Sequence, residues 1–341
     1  MSIPLTTNYL GLELASPIVV GAAAPLSSDL HRLEQLEQEG AGAVVLRSLF
    51  LEQIERDWQE WIHHQHLCSE SHPEALSYLP AVDPQHLGLE GYLEEIRRAR
   101  EALSIPVIAS LNGTHSGHWS EAAQALQQAG ASAIELNLYS VPSSTSCTSA
   151  ELEAEQLEIV RQVCNALSVP VAVKLSPWYT GLAAMIRAMA EAGARGAVLF
   201  NRFLQPEIDI DTISTEAHLE LSHSSEQRLP LRWIGLLHGR VAVELAASTG
   251  IENGRDVLRM LMVGAQICQV VSALLRHGPG ALQRMREEMQ QWLDDNHIES
   301  LASLRGSLSQ QRNPNPEAFE RAQYLRALSS SGALPVDWSE R

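Results

Sequence analysis

One cationic side chain interrupts an apolar run that is otherwise typical of a buried strand. The run extends from Val169 to Leu175, and Lys174 is its only polar residue. Burying an ammonium group is costly unless the group meets an anion, because the charge loses its hydration. Lys174 is therefore predicted either to bind an anionic ligand, as perturbed functional groups often do, or to form a structural ion pair.

Two asparagines close other short apolar runs. Asn137 follows Ile134–Leu136, and Asn201 follows Val198–Phe200. An amide side chain offers both a donor and an acceptor, so the pair could orient a polar ligand. The alternative is that each asparagine caps the loop that follows it.

Eight short apolar runs alternate with longer amphipathic stretches, which is typical of parallel strands joined by crossover helices. The runs are 17–23, 43–46, 106–111, 133–138, 169–175, 197–200, 243–248 and 267–271. Eight strands can close a sheet and remove both of its edges, so the pattern predicts an α/β fold of the (β/α)8 TIM barrel type. Functional side chains are then expected at the carboxyl ends of the strands. The polar residues found there are Arg47, Ser48, Asn112, Asn137, Ser140, Lys174, Asn201, Arg202, His238 and Ser272.

The ends of the last two runs predict a phosphate site. Thr249 and Gly250 follow the seventh run, and Ser272 follows the eighth after Val271. Backbone amides at these positions of a barrel commonly surround a phosphate. Only the positions of these residues support the prediction of a phosphate site, because Thr-Gly turns are common in proteins.

A histidine-rich segment could instead suggest a metal. His63, His64 and His66 precede Cys68, but their spacing matches no standard zinc site and no partner cluster is evident. A solvated helix or lid is the other interpretation, and no metal site is predicted. His115 and His118 follow the third run and receive no role.

Three segments of the sequence are additional to the strands and helices of a minimal barrel. Ile54–Gly88 and Gln205–Pro230 are expected as inserted loops over the carboxyl-terminal face. Near the end of the chain, Pro316–Leu328 is expected as a helix capped by Asn315. The predicted organisation is one barrel over residues 1–304 and a tail with a helix over residues 305–341.

Composition restricts the class of partner and the compartment. The chain has 24 Lys and Arg against 41 Asp and Glu, a formal charge of −17, and 45% hydrophobic residues. Without a basic cluster or a long apolar run, nucleic acid and membrane are not expected as partners. The four cysteines lack CxxC spacing, which favours free thiols in the cytoplasm.

Several stretches, in this order, resemble the dihydroorotate dehydrogenase family of FMN-binding barrels. They are 6–12 with 16–18, 40–48, 134–138, 171–177 and 250–257. The resemblance extends from about Leu5 to about Leu304. It implies FMN as cofactor and a small-molecule substrate, either pyrimidine-like or another small carbonyl compound.

The resemblance also implies roles for particular residues. The cofactor-binding residues would be Ala22, Ala23, Ala24, Arg47, Ser48, Asn112, Asn137, Lys174, Thr249, Gly250, Val271 and Ser272. Lys174 would face the N1/O2 edge of the flavin, where a cation stabilises the negative charge of the reduced ring. Substrate would contact Asn137, Asn201 and Arg47, and Ser140 takes the position of the catalytic base.

Four departures from the family pattern concern this site. Val141-Pro142 replaces Pro-Asn after Ser140, and Arg47 and Thr249 stand where Lys and Gly are usual. The stretch Ser77–Gly88 lacks the Asn-containing motif that clamps the substrate. Because a serine is a poor base without help and Arg differs from Lys in shape, substrate choice or activity is expected to differ.

Three hypotheses follow. The chain is an FMN-dependent oxidoreductase like dihydroorotate dehydrogenase, with the same or an altered substrate. Alternatively, it is a catalytically inactive FMN-binding homologue, or a phosphate-binding barrel lyase that uses Lys174 as a Schiff-base nucleophile. The soluble relatives suggest a homodimer. Membrane-associated relatives carry an N-terminal extension that is not seen before Leu5, so a quinone in the bilayer is not expected as oxidant.

Overall fold

Eight parallel strands form a closed barrel in the computed structural model of the chain. The structure describes residues 3–52, 88–113, 118–138, 140–202, 205–217 and 220–319. The strands are β1 (Thr7–Tyr9), β2 (Leu12–Leu14), β3 (Ile18–Val20), β4 (Ala43–Phe50), β5 (Val107–Gly113), β6 (Ala133–Leu138), β7 (Val171–Leu175), β8 (Gly196–Leu199), β9 (Pro206–Asp209), β10 (Ser214–Ala217), β11 (Glu244–Ser248) and β12 (Ile267–Val270). The barrel runs in the order β11-β12-β3-β4-β5-β6-β7-β8, and β8 pairs with β11 to close it. The predicted (β/α)8 architecture is confirmed, although β4 continues past the predicted Leu46 and β3 is shorter than predicted.

A hairpin that the sequence analysis did not predict fills the amino-terminal end of the barrel. β1 and β2 pair antiparallel, and the turn residues Leu10 and Gly11 have φ of 57° and 77°. Tyr9 is 1% exposed and packs among small residues of the barrel wall. These small residues include Ala43, Ala133, Ala172 and Ala246. Their size leaves room for the Tyr9 ring, so the carboxyl-terminal end is the one that can hold a ligand.

Helices surround the barrel and cover the outward-facing apolar residues of its strands. They are α1 (Ala24–Ser27), α2 (Leu30–Gln38), α3 (Leu89–Ala102), α4 (Trp119–Gln128), α5 (Ser149–Ala166), α6 (Leu182–Glu191), α7 (Arg228–Leu237), α8 (Gly254–Val263), α9 (Ser272–His277), α10 (Ala281–Asp295) and α11 (Leu301–Leu304). Gly264 ends α8 with φ of 119° and its N–H donates to the Met260 carbonyl at 3.1 Å, which is the left-handed cap that glycine favours at a helix end. Within the described ranges, no helix has the length and apolar character needed to cross a membrane.

The insertion after β8 is more regular than the polar loop expected for Gln205–Pro230. It contains the hairpin β9–β10 and a 3-10 turn, Ser224–Gln227, which leads directly into α7. Pro230 lies in the first turn of α7, where its missing N–H removes no helical hydrogen bond. The prediction ended the loop at the proline, whereas the helix already begins at Arg228.

The start of the predicted tail contacts the barrel helices. The backbone N–H of Gly306 donates to the Leu261 carbonyl at 2.9 Å, and that of Leu308 donates to Met262 at 2.8 Å. Pro316–Phe319 is a 3-10 turn, and the rest of the helix predicted for Pro316–Leu328 lies outside the described residues. The loop predicted for Ile54–Gly88 also lies outside them, except for Gly88 itself.

Candidate active site

Lys174 lies inside the barrel and forms a closed ring of hydrogen bonds with Glu135 and Gln269. Its Nζ lies 3.3 Å from Glu135 Oε1 and 3.0 Å from Gln269 Oε1. Gln269 Nε2 donates in turn to Glu135 Oε2. Glu135, Lys174 and Gln269 come from β6, β7 and β12 and are 1%, 7% and 2% exposed. The ring therefore pairs both carboxylate oxygens of Glu135 inside the protein.

This ring shows Lys174 in a structural ion pair, which was one of the two predictions made for it. The lysine meets an anion, and the anion is a carboxylate of the protein itself. An ammonium group has three N–H donors, and the ring uses two of them. Lys174 also lines the cavity at the carboxyl-terminal end, where its third donor has no partner among the described residues. The side chain is thus ion-paired and still able to donate to a ligand.

Glu135 and Gln269 are not among the site residues predicted from the sequence. Strand residues alternate between the two faces, so Glu135 shares the inward face of β6 with Ala133 and Asn137. The same alternation places Gln269 inward on β12. Counting by two from Asn137 would have found Glu135, because a carboxylate on an inward position of a barrel strand needs a partner.

The cavity at the carboxyl-terminal end has a volume of about 350 Å³. Most of the residues predicted to bind a cofactor line this cavity. Its lining includes Ala22, Ala23, Ala24, Lys174, Asn201, Thr249, Gly250, Val271 and Ser272. Ser222, Arg202 and Gln269 also line it. Residues that are far apart in the sequence therefore meet at one opening of the barrel.

The predicted phosphate cradle (Thr249, Gly250, Val271 and Ser272) is arranged around Ser222. The Gly250 N–H donates to Ser222 Oγ at 3.2 Å, and the Ser222 N–H donates to Ser272 Oγ at 3.0 Å. Thr249 and Gly250 both have positive φ, 78° and 73°. The sequence did not point to Ser222, because it lies in the insertion after β8 and reaches the cradle only through the fold.

The two predicted amides meet at the opening. Asn201 Nδ2 donates to Asn137 Oδ1 at 3.0 Å, and Asn137 is 8% exposed. Asn112 is opposite Asn137 in the β5–β6 register and is 5% exposed. Asn137 and Asn201 thus form a hydrogen-bonded pair, which leaves the Asn201 carbonyl, one Asn201 N–H group and both Asn137 N–H groups without a partner among the described residues.

Arg47 is directed away from this cavity. Its Nη2 lies 3.1 Å from Glu95 Oε1 on α3, and its guanidinium lies 5.0 Å from the centre of the Tyr92 ring. Burial raises the pKa of Tyr92, whose hydroxyl donates to the Arg47 carbonyl at 2.6 Å. Ser48 is hydrogen bonded to Ser110 at 2.9 Å. The β4–β5 register shifts between Val45 and Ser48, which explains why Arg47 turns outward.

Ser140, the predicted base, lines a different cavity of about 470 Å³ between the end of β6 and α5. Glu155, Gln156 and Cys147 line the same cavity. Ser140 makes no hydrogen bond to another described residue, and residue 139 beside it is outside the description. The structure therefore brings Lys174 and the cradle together but places Ser140 next to them in a neighbouring cavity.

The remaining candidates lie outside the described residues or at the surface. His63, His64, His66, Cys68 and His115 lie outside the described residues. His118 precedes α4 at the surface, with Nδ1 3.9 Å from Glu121 Oε2. Over the ranges that are described, no group of three or more His, Cys, Asp or Glu side chains could hold a metal ion. Cys147, Cys164 and Cys268 are free thiols.

The fold and the cavity define a (β/α)8 barrel with an ion-paired lysine, two amides and a glycine-containing cradle at one end. The sequence matches the family model described as dihydroorotate dehydrogenase over residues 72–293. It is 33% identical over 236 residues to "Dihydroorotate dehydrogenase B (NAD(+)), catalytic subunit" of Geobacter sp. (strain M21), covering 67% of this chain and 77% of that protein. A protein of the same name from Thermoplasma volcanium is 25% identical over 310 residues, covering 89% of this chain and 97% of its own length. The chain therefore belongs to the dihydroorotate dehydrogenase family.

Proposed function

We propose that the chain is an FMN-dependent oxidoreductase that acts on a CH–CH bond of a small carbonyl compound. The observation that carries the proposal is that Lys174, held by Glu135, lines the same cavity as Gly250 and Ser272. FMN has a ring that gains negative charge on reduction and a phosphate at its other end. A cation and a set of backbone amides in one cavity suit these two ends.

The residues of the cavity fit FMN in size and in donor chemistry. A volume of about 350 Å³ lies within the usual range for small-ligand pockets. Ala22, Ala23 and Ala24 carry small side chains, so a flat ring can approach their backbone. The Gly250 N–H, which donates to Ser222 Oγ, and the Ser222 hydroxyl, which donates to Ser272 Oγ, would turn to the phosphate, and the Ser272 hydroxyl would join them. When bound, FMN would supply the hydride acceptor.

Substrate would lie between the flavin and the Asn137–Asn201 pair. The two amides can orient a carbonyl or ring N–H of the substrate because each keeps unpaired capacity. Ser140 would remove the proton from the carbon next to the carbonyl, reaching it from the neighbouring cavity. The missing Asn after Ser140 favours either dihydroorotate bound with fewer contacts or a related small carbonyl compound.

A second candidate is an FMN-binding homologue without catalytic activity. It is favoured by two observations at the substrate side. Arg47, predicted to contact substrate, is paired with Glu95, and Ser140 has no hydrogen-bonded base among the described residues. A serine hydroxyl needs such help to remove a proton efficiently.

The lyase hypothesis has less support from the geometry. A Schiff-base lysine must be neutral to attack a carbonyl. Lys174 Nζ instead lies 3.3 Å from Glu135 Oε1, so its attack on a carbonyl would require this salt bridge to break. Lys174 is the only lysine in the sequence, so borohydride trapping would need no mapping of the modified site.

The test is the visible spectrum of the purified protein, followed by identification of any chromophore released on denaturation. A flavin spectrum with FMN released supports both FMN proposals. Anaerobic addition of dihydroorotate, and then of related small carbonyl compounds, separates them, because only an active enzyme has its flavin bleached by one of these compounds. A colourless protein that also fails to bind added FMN would overturn both and favour the lyase.

We also propose a cytoplasmic homodimer, with residues 1–304 as the catalytic barrel and 305–341 as an appendage. The net charge of −17 and the absence of a basic cluster in the sequence support a partner that is neither nucleic acid nor an anionic membrane. Light scattering of the purified protein would measure the number of chains per particle.

A further inference from the structure

The sequence contains 24 Lys and Arg residues, and all of them except Lys174 are arginine. A lysine differs from an arginine by a compact ammonium group with three donors instead of a planar fork. In the barrel interior, the ammonium fits between two acceptors from different strands, Glu135 Oε1 and Gln269 Oε1. The one lysine is thus found where the surrounding ring accommodates a point charge.

We propose that Glu135 and Gln269 are positioning residues that set the charge Lys174 presents to the flavin. This inference rests on the proposed binding of FMN. Glu135 offsets the positive charge of Lys174, and Gln269 holds the amine through a neutral carbonyl. The reduced cofactor therefore meets an ion pair, which attracts negative charge less strongly than a free cation would.

The surroundings of the ring support this role. Glu135 is 1% exposed, so solvent screens its interaction with Lys174 only weakly. The Tyr9 hydroxyl is buried within the barrel, and burial, with Glu135 and Glu244 as further causes, raises its pKa. Tyr9 therefore stays neutral. The Glu244 side chain lies at the other end of the barrel, where its Oε2 accepts from the Leu10 N–H at 2.6 Å.

Two substitutions should change the electrostatic potential at the flavin in opposite directions. Glu135→Gln removes a negative charge and leaves Lys174 uncompensated, which stabilises reduced flavin. We expect reduced FMN to bind about tenfold more tightly relative to oxidised FMN, which corresponds to a midpoint potential about 30 mV higher for a two-electron couple. Gln269→Glu places a second carboxylate beside Lys174, so we expect a shift of the same size to lower potential.

The experiment measures the midpoint potential of bound FMN by equilibration with redox dyes, together with the Kd of oxidised FMN by fluorescence. Cys268→Ala is the matched control, because Cys268 is the neighbour of Gln269 on β12 and lies in the outer apolar layer. FMN bound to the Cys268→Ala variant should have the same midpoint potential as FMN bound to the unmodified protein. A purely structural role for the ring predicts weaker binding in both variants without opposite shifts in potential.

The outcomes are distinct. Opposite shifts support the inference, and FMN bound at an unchanged potential in both variants overturns it while leaving the proposed function intact. If Glu135→Gln does not fold, Gln269→Glu alone decides, since a potential that is unchanged or higher would contradict the inference. Failure of the unmodified protein to bind FMN would overturn the proposed function and this inference together.

Discussion

Gln227 Nε2 donates a 2.9 Å hydrogen bond to Asp256 Oδ1, which joins the insertion after β8 to the helix after β11. Asp256 is 0% exposed, and its carboxylate also accepts from Ser224 Oγ at 2.8 Å and from the Glu252 N–H at 3.0 Å. Ser222 lies two residues before Ser224. The buried carboxylate therefore holds the segment that carries Ser222 to the phosphate cradle.

Asp256→Ala should lower the free energy of unfolding by about 3 kcal/mol, because several buried donors lose their acceptor. FMN should also bind more weakly, since Ser222 is no longer held. Urea unfolding and FMN titration measure the two effects. Asp294→Ala is the control, because the Asp294 carboxylate accepts one exposed hydrogen bond, from Gln290 Nε2. Equal stability of the two variants would contradict the prediction.

Thr249→Gly should have a free energy of unfolding about 0.5–1 kcal/mol higher than that of Thr249→Ala, because both variants lose the Thr249 hydroxyl and only glycine adopts the positive φ at little cost. Thr249 has φ of 78°, which costs an L-residue with a side chain about 1–2 kcal/mol and costs glycine little. Part of this gain is offset by the extra freedom of glycine in the unfolded chain. Thr249→Ala keeps the unfavourable φ and loses the hydrogen bond to the Phe200 carbonyl. It should therefore be no more stable than the unmodified protein when both are compared by thermal unfolding.

Lys174→Met should abolish FMN binding and lower stability by about 3–5 kcal/mol, because Glu135 is left buried without a counter-ion. The double variant Lys174→Met with Glu135→Gln should recover most of the stability and still bind no FMN. Denaturant unfolding and flavin fluorescence would show this separation. A double variant as unstable as the single one would show that the two charges do not interact as the 3.3 Å distance implies.

Ser140→Ala should leave the affinity for FMN within about twofold and slow flavin reduction by substrate at least 10²-fold, the low end of a general base contribution. Ser140 lines a cavity separate from the one that contains Lys174, so its loss leaves the cofactor contacts in place. Anaerobic stopped-flow absorbance measures the reduction. Ser143 lines the same cavity, so Ser143→Ala is the control. The flavin of this variant should be reduced by substrate at the rate of the unmodified protein.

His238 should make the protein less stable below about pH 6.5. Burial lowers the pKa of this histidine from its ordinary value of 6.5, and Arg312 and Arg305 act in the same direction. The unfolded chain then takes up a proton at a higher pH than the folded chain does, so stability falls as the pH decreases through 6.5. Melting temperatures from pH 8 to 5 should decline less steeply for His238→Gln. Parallel curves for the two proteins would exclude a contribution from His238.

The barrel could be predicted because each of its strands is a short apolar run that ends at a turn or a polar residue. The hairpin β1–β2 could not, since its strands have three residues each and their burial depends on the small residues of the closed barrel. The helix α7 was missed for a local reason. Its first turn contains Pro230, which marks a break in most sequence contexts but is compatible with a helix start.

The site residues that could be predicted are those whose chemical type and whose position along the chain both indicate a binding site. Lys174 stands out as a charge within an apolar run, and Gly250 and Ser272 follow strands whose ends meet in any barrel. Arg47 was expected at the ligand, but the register shift in β4 turns it toward Glu95. Ser222 was not found, because its place depends on the fold of an insertion and not on a strand end.

The hydrogen-bonded ring joins the middle of the barrel sequence to its last strand. Glu135 and Lys174 belong to adjacent strands in the middle of the chain, whereas Gln269 comes from β12, the last strand to be added in chain order. During synthesis, Lys174 can therefore pair with Glu135 long before its second partner exists. The lysine obtains its final geometry only in a complete barrel, which makes cofactor uptake a measure of whether the newly made chain has closed.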